Sequence, residues 1–387
     1  MIDFDEGTYS VTTPSGKAIL LAKEYALLTF LVRHQGQTFT REHLLNQVWG
    51  MEYPSERTVD DHIYRLRKKL VPLPEFKLLT VRGTGYRLSV HETNGLRMRP
   101  SLYDAELQAA VGQLFQKYHL LGQGDSMMAL AAQQEVLGIE VNSYYSRYLH
   151  FLDGDLAYFV HDSTTPVQDQ LYWISILYGI LIPPEEALEL LEKILQSGLL
   201  SPHQHREMYI LNIIDIYAES GRFAEAEERL IETRRVVKED ELIGFHIPVA
   251  AAELYLYILQ NQPEKVNKKM EQIRLMLEDT PYLRELIRFH FLEGIWQYSQ
   301  GLIQEATSSV DLGMRVYYES KSTPHLLISL GQFMRYIDRN PRPEQEKEVK
   351  TLRLKIKRIF ADLNEKHQYD VLLGQASDQI LNFLASV

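Results

Sequence analysis

Between residues 57 and 87 the chain concentrates its arginine and lysine at ordered spacings. In Arg57-Thr58-Val59-Asp60-Asp61-His62-Ile63-Tyr64-Arg65-Leu66-Arg67-Lys68-Lys69-Leu70, the apolar residues Val59, Ile63, Leu66 and Leu70 recur at helical spacing and mark one stripe of a helix predicted from about Ser55 to Leu70. Arg57, Asp61, His62, Arg65 and Lys68 or Lys69 fall largely off that stripe, so the outer face is basic. Such a helix of about 16 residues is roughly 24 Å long, and the major groove of B-DNA admits one helix whose side chains reach base edges and phosphates. An arginine there either reads guanine with two hydrogen bonds or neutralises a phosphate. Taken alone, the same pattern also describes a helix whose charges only keep one face wet. Downstream, Arg82-Gly83-Thr84-Gly85 separates two β-rich runs, Lys77 to Val81 and Tyr86 to Val90, and reads as a β-hairpin. Gly83 and Gly85 permit a tight turn that brings Arg82 close to a sugar-phosphate backbone.

Upstream elements can position that helix. Thr8 to Thr12 and Ala18 to Leu21 flank Pro14-Ser15-Gly16-Lys17, a turn signal, and predict a small antiparallel sheet. Glu24 to His34, with Tyr25, Leu27, Leu28 and Leu31 on one side, predicts a first helix. Arg41 to Trp49, after Thr40 as N-cap, predicts a second. Ala22 stands where Ser or Thr would be the usual cap before the first helix, at a cost of about 1 kcal/mol. The order is sheet, three helices, hairpin.

The string RTVDxHIxRLRKKL, followed by TVRGxGYRL and preceded by Val48-Trp49-Gly50, strongly resembles the OmpR/PhoB family of winged-helix regulators over residues 1 to about 90. The resemblance implies that the third helix enters the major groove and that the hairpin sets Arg82 against the minor groove or its phosphates. By motif position it implies DNA contacts at Asp61, His62, Arg65 and Arg67, with Arg57 and Lys68 anchoring the backbone, and with Arg82 and Thr84 on the hairpin. Asp61 departs from the family, which often has an apolar or neutral residue there. It is read either as an acceptor from a cytosine amino group or as an exposed helix acid. The family usually places a phosphoacceptor receiver before the winged helix, whereas here the winged helix starts at residue 1, so phosphorelay control is not expected.

Beyond a linker read at residues 92–101, with Asn94-Gly95 and Pro100, the pattern is helical from residue 102 to 387. Ala187, Ala226, Val266 and Ala306 are spaced by about 40 residues; Tyr178, Tyr217 and Tyr257 precede the first three at a common offset, and Leu191, Leu230, Met270 and Val310 follow. The breaks Gly221, Asn261 and Gly301 keep the same phase. Asn212 to Glu232 resembles one tetratricopeptide unit. The expected architecture is therefore an N-terminal winged helix-turn-helix (α+β) domain over 1–91 and an all-α tetratricopeptide-like solenoid used for sensing or dimerisation. In that order the two resemble the antibiotic-regulatory activators of actinomycetes and the virulence activators that carry such repeats. Tyr178, Tyr217 and Tyr257 read as packing residues. Off-phase residues on the first helix of each pair, Tyr172, Asn212, Asp215, Tyr255, Arg288 and Tyr298, read as candidates for an effector groove, Asn because its amide can hold an extended peptide backbone.

Charge agrees with this division. The net charge is −11, yet residues 1–99 carry +3 and the remainder −14. With no cysteine, neither a disulfide nor a thiolate metal site is possible. The N-terminus lacks the basic flank and apolar run of a secretory signal, and the longest apolar stretch, Tyr172 to Pro183, is well short of the roughly 20 residues a span needs. A cytoplasmic protein is expected. His203-Gln204-His205 lacks further ligands at zinc spacing, Asp153-Gly154-Asp155 and Gly122-Gln123-Gly124 read as turns, and no P-loop or catalytic constellation occurs, so neither metal, cofactor nor enzymatic activity is expected. Val349 to Arg358 is basic and amphipathic, read as a capping helix or as a second DNA-contact or dimer helix. The expected function is a one-component, dimeric transcription regulator of promoter DNA, with RNA polymerase as a further candidate partner. Its repeats would bind an effector, a short peptide first, as in the peptide-pheromone (quorum-sensing) receptors of Gram-positive bacteria. The alternative is a repeat domain that serves only as a protein-interaction or dimerisation scaffold.

Overall fold

The computed structural model describes residues 2–13, 15–35, 38–49, 56–81, 85–90, 100–162 and 165–385, the side chains of Glu56 and Arg57 excepted. The chain divides into two compact units, Met1–Arg99 and Pro100–Val387.

In the first unit, β1 (Asp3–Asp5), β2 (Ser10–Thr13) and β3 (Gly16–Ile19) pair antiparallel in that order. Then come α1 (Ala22–Arg33), β4 (Thr38–Phe39), α2 (Arg41–Val48), α3 (Glu56–Lys69), β5 (Phe76–Val81) and β6 (Gly85–Val90). The second sheet has the order β4-β6-β5, with Leu78 opposite Leu88 and Thr80 opposite Tyr86. At Gly85, which has a φ of 149°, a Cβ would lie 2.0 Å from the Phe39 carbonyl oxygen, so only glycine lets β6 run this close to β4. The predicted apolar stripe of α3 is the core: Val59, Ile63, Leu66 and Leu70 are at most 4% exposed and pack with Leu27, Leu28, Leu31 and Leu44 from α1 and α2. Each such side chain contributes about 1.5–3 kcal/mol of burial. Thr40 caps α2 as expected, its hydroxyl accepting from the His43 amide at 3.1 Å. The cap of α1 is Leu21 rather than Ala22. There the Glu24 carboxylate, two positions inside the helix start, accepts from the Leu21 amide at 2.8 Å and replaces the missing cap side chain.

The second unit is helical throughout its described residues apart from turns. Its elements are α4 (Pro100–Tyr103), α5 (Ala105–Leu121), α6 (Gly124–Ala132), α7 (Gln134–Leu137), α8 (Ser143–Asp153), α9 (Leu156–His161), α10 (Val167–Leu181), α11 (Pro184–Gln196) and α12 (Pro202–Glu207). There follow α13 (Ile214–Glu219), α14 (Phe223–Glu239), α15 (His246–Leu259), α16 (Pro263–Asp279), α17 (Leu283–Ser299), α18 (Ile303–Ser320), α19 (Thr323–Arg339), α20 (Glu346–His367) and α21 (Tyr369–Ala385). A π-helical turn, Met208–Asn212, joins α12 to α13.

The 40-residue phase has a physical basis. Ala187, Ala226, Val266 and Ala306 sit in the first turn or so of α11, α14, α16 and α18, and all four are fully buried, where small side chains let paired helices approach closely. Gly221, Asn261 and Gly301 take φ of 75°, 53° and 79° between the helices of a pair. The amides of Arg222, Gln262 and Leu302 return to the carbonyls of Tyr217, Tyr257 and Gln297, so one left-handed helix ending recurs three times. Gly122 and Gly154, read as turn residues, end α5 and α8 in the same left-handed conformation. The linker read at 92–101 lies outside the described residues except for Pro100 and Ser101, which open α4. The basic run at 349–358 belongs to α20, whose Val349, Leu352 and Ile356 are buried while Arg353 and Lys355 pair with Asp338 and Asp311 at 2.8 and 2.5 Å.

Candidate nucleic-acid interface

Burial of the apolar stripe fixes which side of α3 faces outward. Asp61, Tyr64, Arg65 and Lys68 lie at i, i+3, i+4 and i+7, and all four are exposed. Arg65 has no hydrogen bond or ion pair among the described residues. The Lys68 ammonium rests 4.7 Å from the centre of the Tyr64 ring, which is 59% exposed. An unpaired guanidinium and an aromatic-backed ammonium on one ridge form a surface able to meet phosphates and base edges.

Polar bonds behind the ridge lock α3 in place. Asp60 receives the Arg41 Nε at 2.7 Å and the Tyr86 hydroxyl at 2.6 Å, tying α3 to α2 and β6 at one point. Burial, then the hydrogen bond to Asp60, pushes the Tyr86 phenol up, and the same carboxylate raises Arg41. At the far end Lys69 donates to Glu24 at 2.6 Å. Burial drives the Glu24 carboxyl upward, but Lys69 and the Leu21 amide outweigh it and leave the group below its ordinary value.

Two residues expected to contact DNA are engaged elsewhere. Arg67 donates through Nε and Nη2 to the Leu78 carbonyl at 3.0 and 2.9 Å and through Nη2 to the Thr80 hydroxyl at 2.8 Å. Since β5 is an edge strand, the outward carbonyl of Leu78 has no strand partner, and the guanidinium supplies one. Arg67 is thus a clamp between α3 and the hairpin. His62 turns Nδ1 to the Thr58 carbonyl at 2.7 Å and meets the Trp49 ring edge-on at 5.0 Å, leaving only Nε2 for an outside partner. Arg82, Thr84 and the Arg57 side chain lie outside the described residues. Tyr64 carries no charge, and its position three residues after Asp61 and four before Lys68 is the signal in the sequence that places it on the ridge.

The family model described as "Transcriptional regulatory protein, C terminal" matches residues 16–88. Residues 16–88 are a DNA-binding domain of the OmpR/PhoB type. The phosphate regulon transcriptional regulatory protein PhoB of Pseudomonas aeruginosa is 49% identical over 86 residues, covering 22% of this chain and 38% of that protein. The uncharacterized transcriptional regulatory protein YclJ of Bacillus subtilis is 54% identical over 69 residues, covering 18% of this chain and 30% of that one. The chain therefore spans less than two-fifths of the length of these curated relatives. Among solved structures, the DNA-binding domain of Bacillus subtilis CssR is 34% identical, with 23% of this chain and 99% of that chain covered and a TM-score of 0.20. The response regulator AdeR DNA-binding domain, solved in complex with an intercistronic region, is 40% identical, with 23% and 93% covered and a TM-score of 0.21.

In the helical unit, the six residues read as an effector groove do not form an open ladder. Tyr172, Tyr255 and Tyr298 are 4%, 1% and 0% exposed. Tyr255 donates to Glu219 at 2.8 Å and Tyr298 to the Asn340 carbonyl at 2.8 Å, while burial first and then the charge of Glu207 push the Tyr172 phenol up. Asp215 and Arg288 pair at 2.5 Å. Sequence spacing could not show that α19 crosses to these residues. Gln332 and Arg335 of α19 donate to Asp215 and Glu219 across more than 100 residues of sequence, at 3.0 and 2.8 Å. That contact turns the inner face into a polar interior. Asn212, half-buried, ends the π-helical turn beside Tyr172. Among the described residues no helix is long and apolar enough to cross a membrane, and no group of three or more His, Asp or Glu gathers as metal ligands.

Proposed function

We propose that this protein is a transcription regulator that binds promoter DNA in sequence-specific fashion through α3 and the β5–β6 hairpin, and that its helical unit governs that binding. The observation that carries the reading is the exposed ridge of Tyr64, Arg65 and Lys68 on a helix whose opposite face is fully buried, within a segment of the OmpR/PhoB type. Arg65 reads a base and Lys68 meets a phosphate; Asp61 tunes the base choice, Nε2 of His62 faces the duplex, and Arg57, Arg82 and Thr84 hold the backbone. The helical unit, a tetratricopeptide-like array, joins two copies so that two winged helices engage one promoter, gaining affinity through effective concentration. It also takes an effector. Because Tyr255 and Tyr298 are committed to the core, a peptide effector would enter by its end, near Asn212, Asp215 and Arg288, rather than lie extended along the array. An enzymatic role has no support from the relatives, whose names describe transcriptional regulatory proteins.

The test is selection of duplexes from a random pool by the intact protein, followed by footprinting. A recovered motif in two half-sites, protected by a dimer in light scattering, is the expected result. A pool that yields no motif, with binding indifferent to sequence, would remove the claim of specificity.

A further inference from the structure

Resting on the reading that the helical unit takes an effector, we propose that Arg284 holds the anionic head, carboxylate or phosphate, of a small organic ligand inside that unit.

Arg284 stands in the first turn of α17 and is half-buried. Its one hydrogen-bond partner among the described residues is the Tyr148 hydroxyl of α8, at 3.0 Å, and its Nε is buried with no partner at all. It makes no ion pair there, whereas Arg288 one turn on is neutralised by Asp215 at 2.5 Å. The nearby titratable groups add no fixed anion in contact. His119 of α5 stacks on the Tyr148 ring at 4.2 Å, and His325 of α19 is bonded through Nδ1 to the Ser322 hydroxyl at 2.8 Å. Burial first, and then the charge of Arg284, hold both imidazoles down at about 3, so they are neutral around pH 7. Glu285, its neighbour in sequence, is buried and acts on Arg284 through space, without an ion-pair contact among the described residues.

A half-buried guanidinium with no carboxylate in contact and a buried Nε left without an acceptor is costly to the fold, and a methionine or leucine would pack a similar volume at lower cost. What the arginine offers in return is a charge-assisted, two-bond grip on an incoming carboxylate or phosphate. The surroundings also specify the rest of the ligand. Tyr144, 45% exposed, lies parallel to His119 at 6.4 Å and forms the outer part of an aromatic wall with Tyr148. Such a wall suits an apolar or planar body attached to the anion. The groups come from α5 and α8 and from α17 and α19, with 136 residues of sequence between Tyr148 and Arg284, so an occupant bridges helices distant along the chain.

The experiment uses the full chain with benzoate, phenyl phosphate and the neutral benzamide as probes at constant ionic strength. The readouts are the thermal midpoint and the emission of Trp173, whose ring lies 6.3 Å from both Tyr144 and Tyr148, with Trp173→Phe isolating the signal. One of the two anions should give a saturable response that benzamide lacks, and which of them does so identifies the head group. Arg284→Met should leave the ligand-free chain at least as stable as the natural one while weakening the anion about 10-fold or more, and Arg284→Lys should retain part of the response. A lowered midpoint in Arg284→Met without probe would make the arginine structural and overturn the proposal, as would equal responses to benzoate and benzamide. An anion that binds through Arg284 yet leaves DNA affinity unchanged would uphold the site and defeat the effector reading instead.

Discussion

Replacing Arg67 separates a structural clamp from a DNA reader. In Arg67→Ala, three donor contacts to the hairpin disappear, two of them to one carbonyl on the free edge of β5. Hydrogen bonds involving a charged group contribute about 1.5–3 kcal/mol when shielded, but Arg67 is exposed, and solvent both screens the guanidinium and rehydrates the Leu78 carbonyl once it has left. The expected cost is therefore about 1 kcal/mol of stability in the first unit. Urea unfolding followed through Trp49, which packs beside α3, reports it as a lowered midpoint at unchanged slope. Because the hairpin is then less firmly held against α3, affinity for every duplex falls by a similar factor while the selected motif stays the same. Arg67→Lys, able to reach only one acceptor well, falls between. An Arg67→Ala protein with unaltered stability and a relaxed base at one motif position would refute the clamp and restore the base contact that the resemblance implied.

Other outcomes follow from the same geometry. Arg65→Ala should leave the urea midpoint within about 0.5 kcal/mol of the parent and cost about 1–3 kcal/mol of affinity at one base position, as read by competition with single-base variants of the selected duplex. For Glu24, whose folded value lies below its ordinary 4.5, the contribution to stability is complete above that pH and drains as pH falls through the folded value. Glu24→Gln should accordingly flatten the acid limb of the stability profile below pH 4.5 while lowering stability at pH 7. In the helical unit, His119 and His325 take up protons on unfolding, so stability is complete above 6.5 and declines as pH falls from there toward 3. Each contributes at most about 1.4 kcal/mol per pH unit, and His119→Phe should reduce the decline in urea midpoint between pH 7 and 5.

Much of the first unit was legible because its signals are local. Period and punctuation gave the three helices, the hairpin and the Thr40 cap to within two residues. The stripe of Val59, Ile63, Leu66 and Leu70 also fixed which face of α3 is outward. What the sequence hid was where a given arginine spends its donors. Arg65 and Arg67 look alike in the string RLRKK, yet two positions rotate a helix by more than half a turn, and that sends one to solvent and the other onto β5. In the second unit the 40-residue phase located the buried small residues and the left-handed turns, since both belong to one helix pair. The polar interior was not legible, because it depends on α19 meeting α13 across 117 residues, a contact that no periodicity encodes. Tyr255 and Tyr298, read as groove residues, are core residues whose hydroxyls are bonded to Glu219 and to the Asn340 carbonyl.

The central claim is that the ridge of α3 engages DNA, and the salt dependence of affinity for the selected duplex measures it most directly, taken with the intact chain and with Lys68→Ala. Each phosphate contact contributes about 0.9 to the slope of log affinity against log salt. Binding should weaken steeply with salt in the natural chain, and the slope should fall by about 1 in Lys68→Ala with the recovered motif unchanged. Affinity independent of salt, or a slope untouched by loss of Lys68 and Arg65 together, would contradict the account.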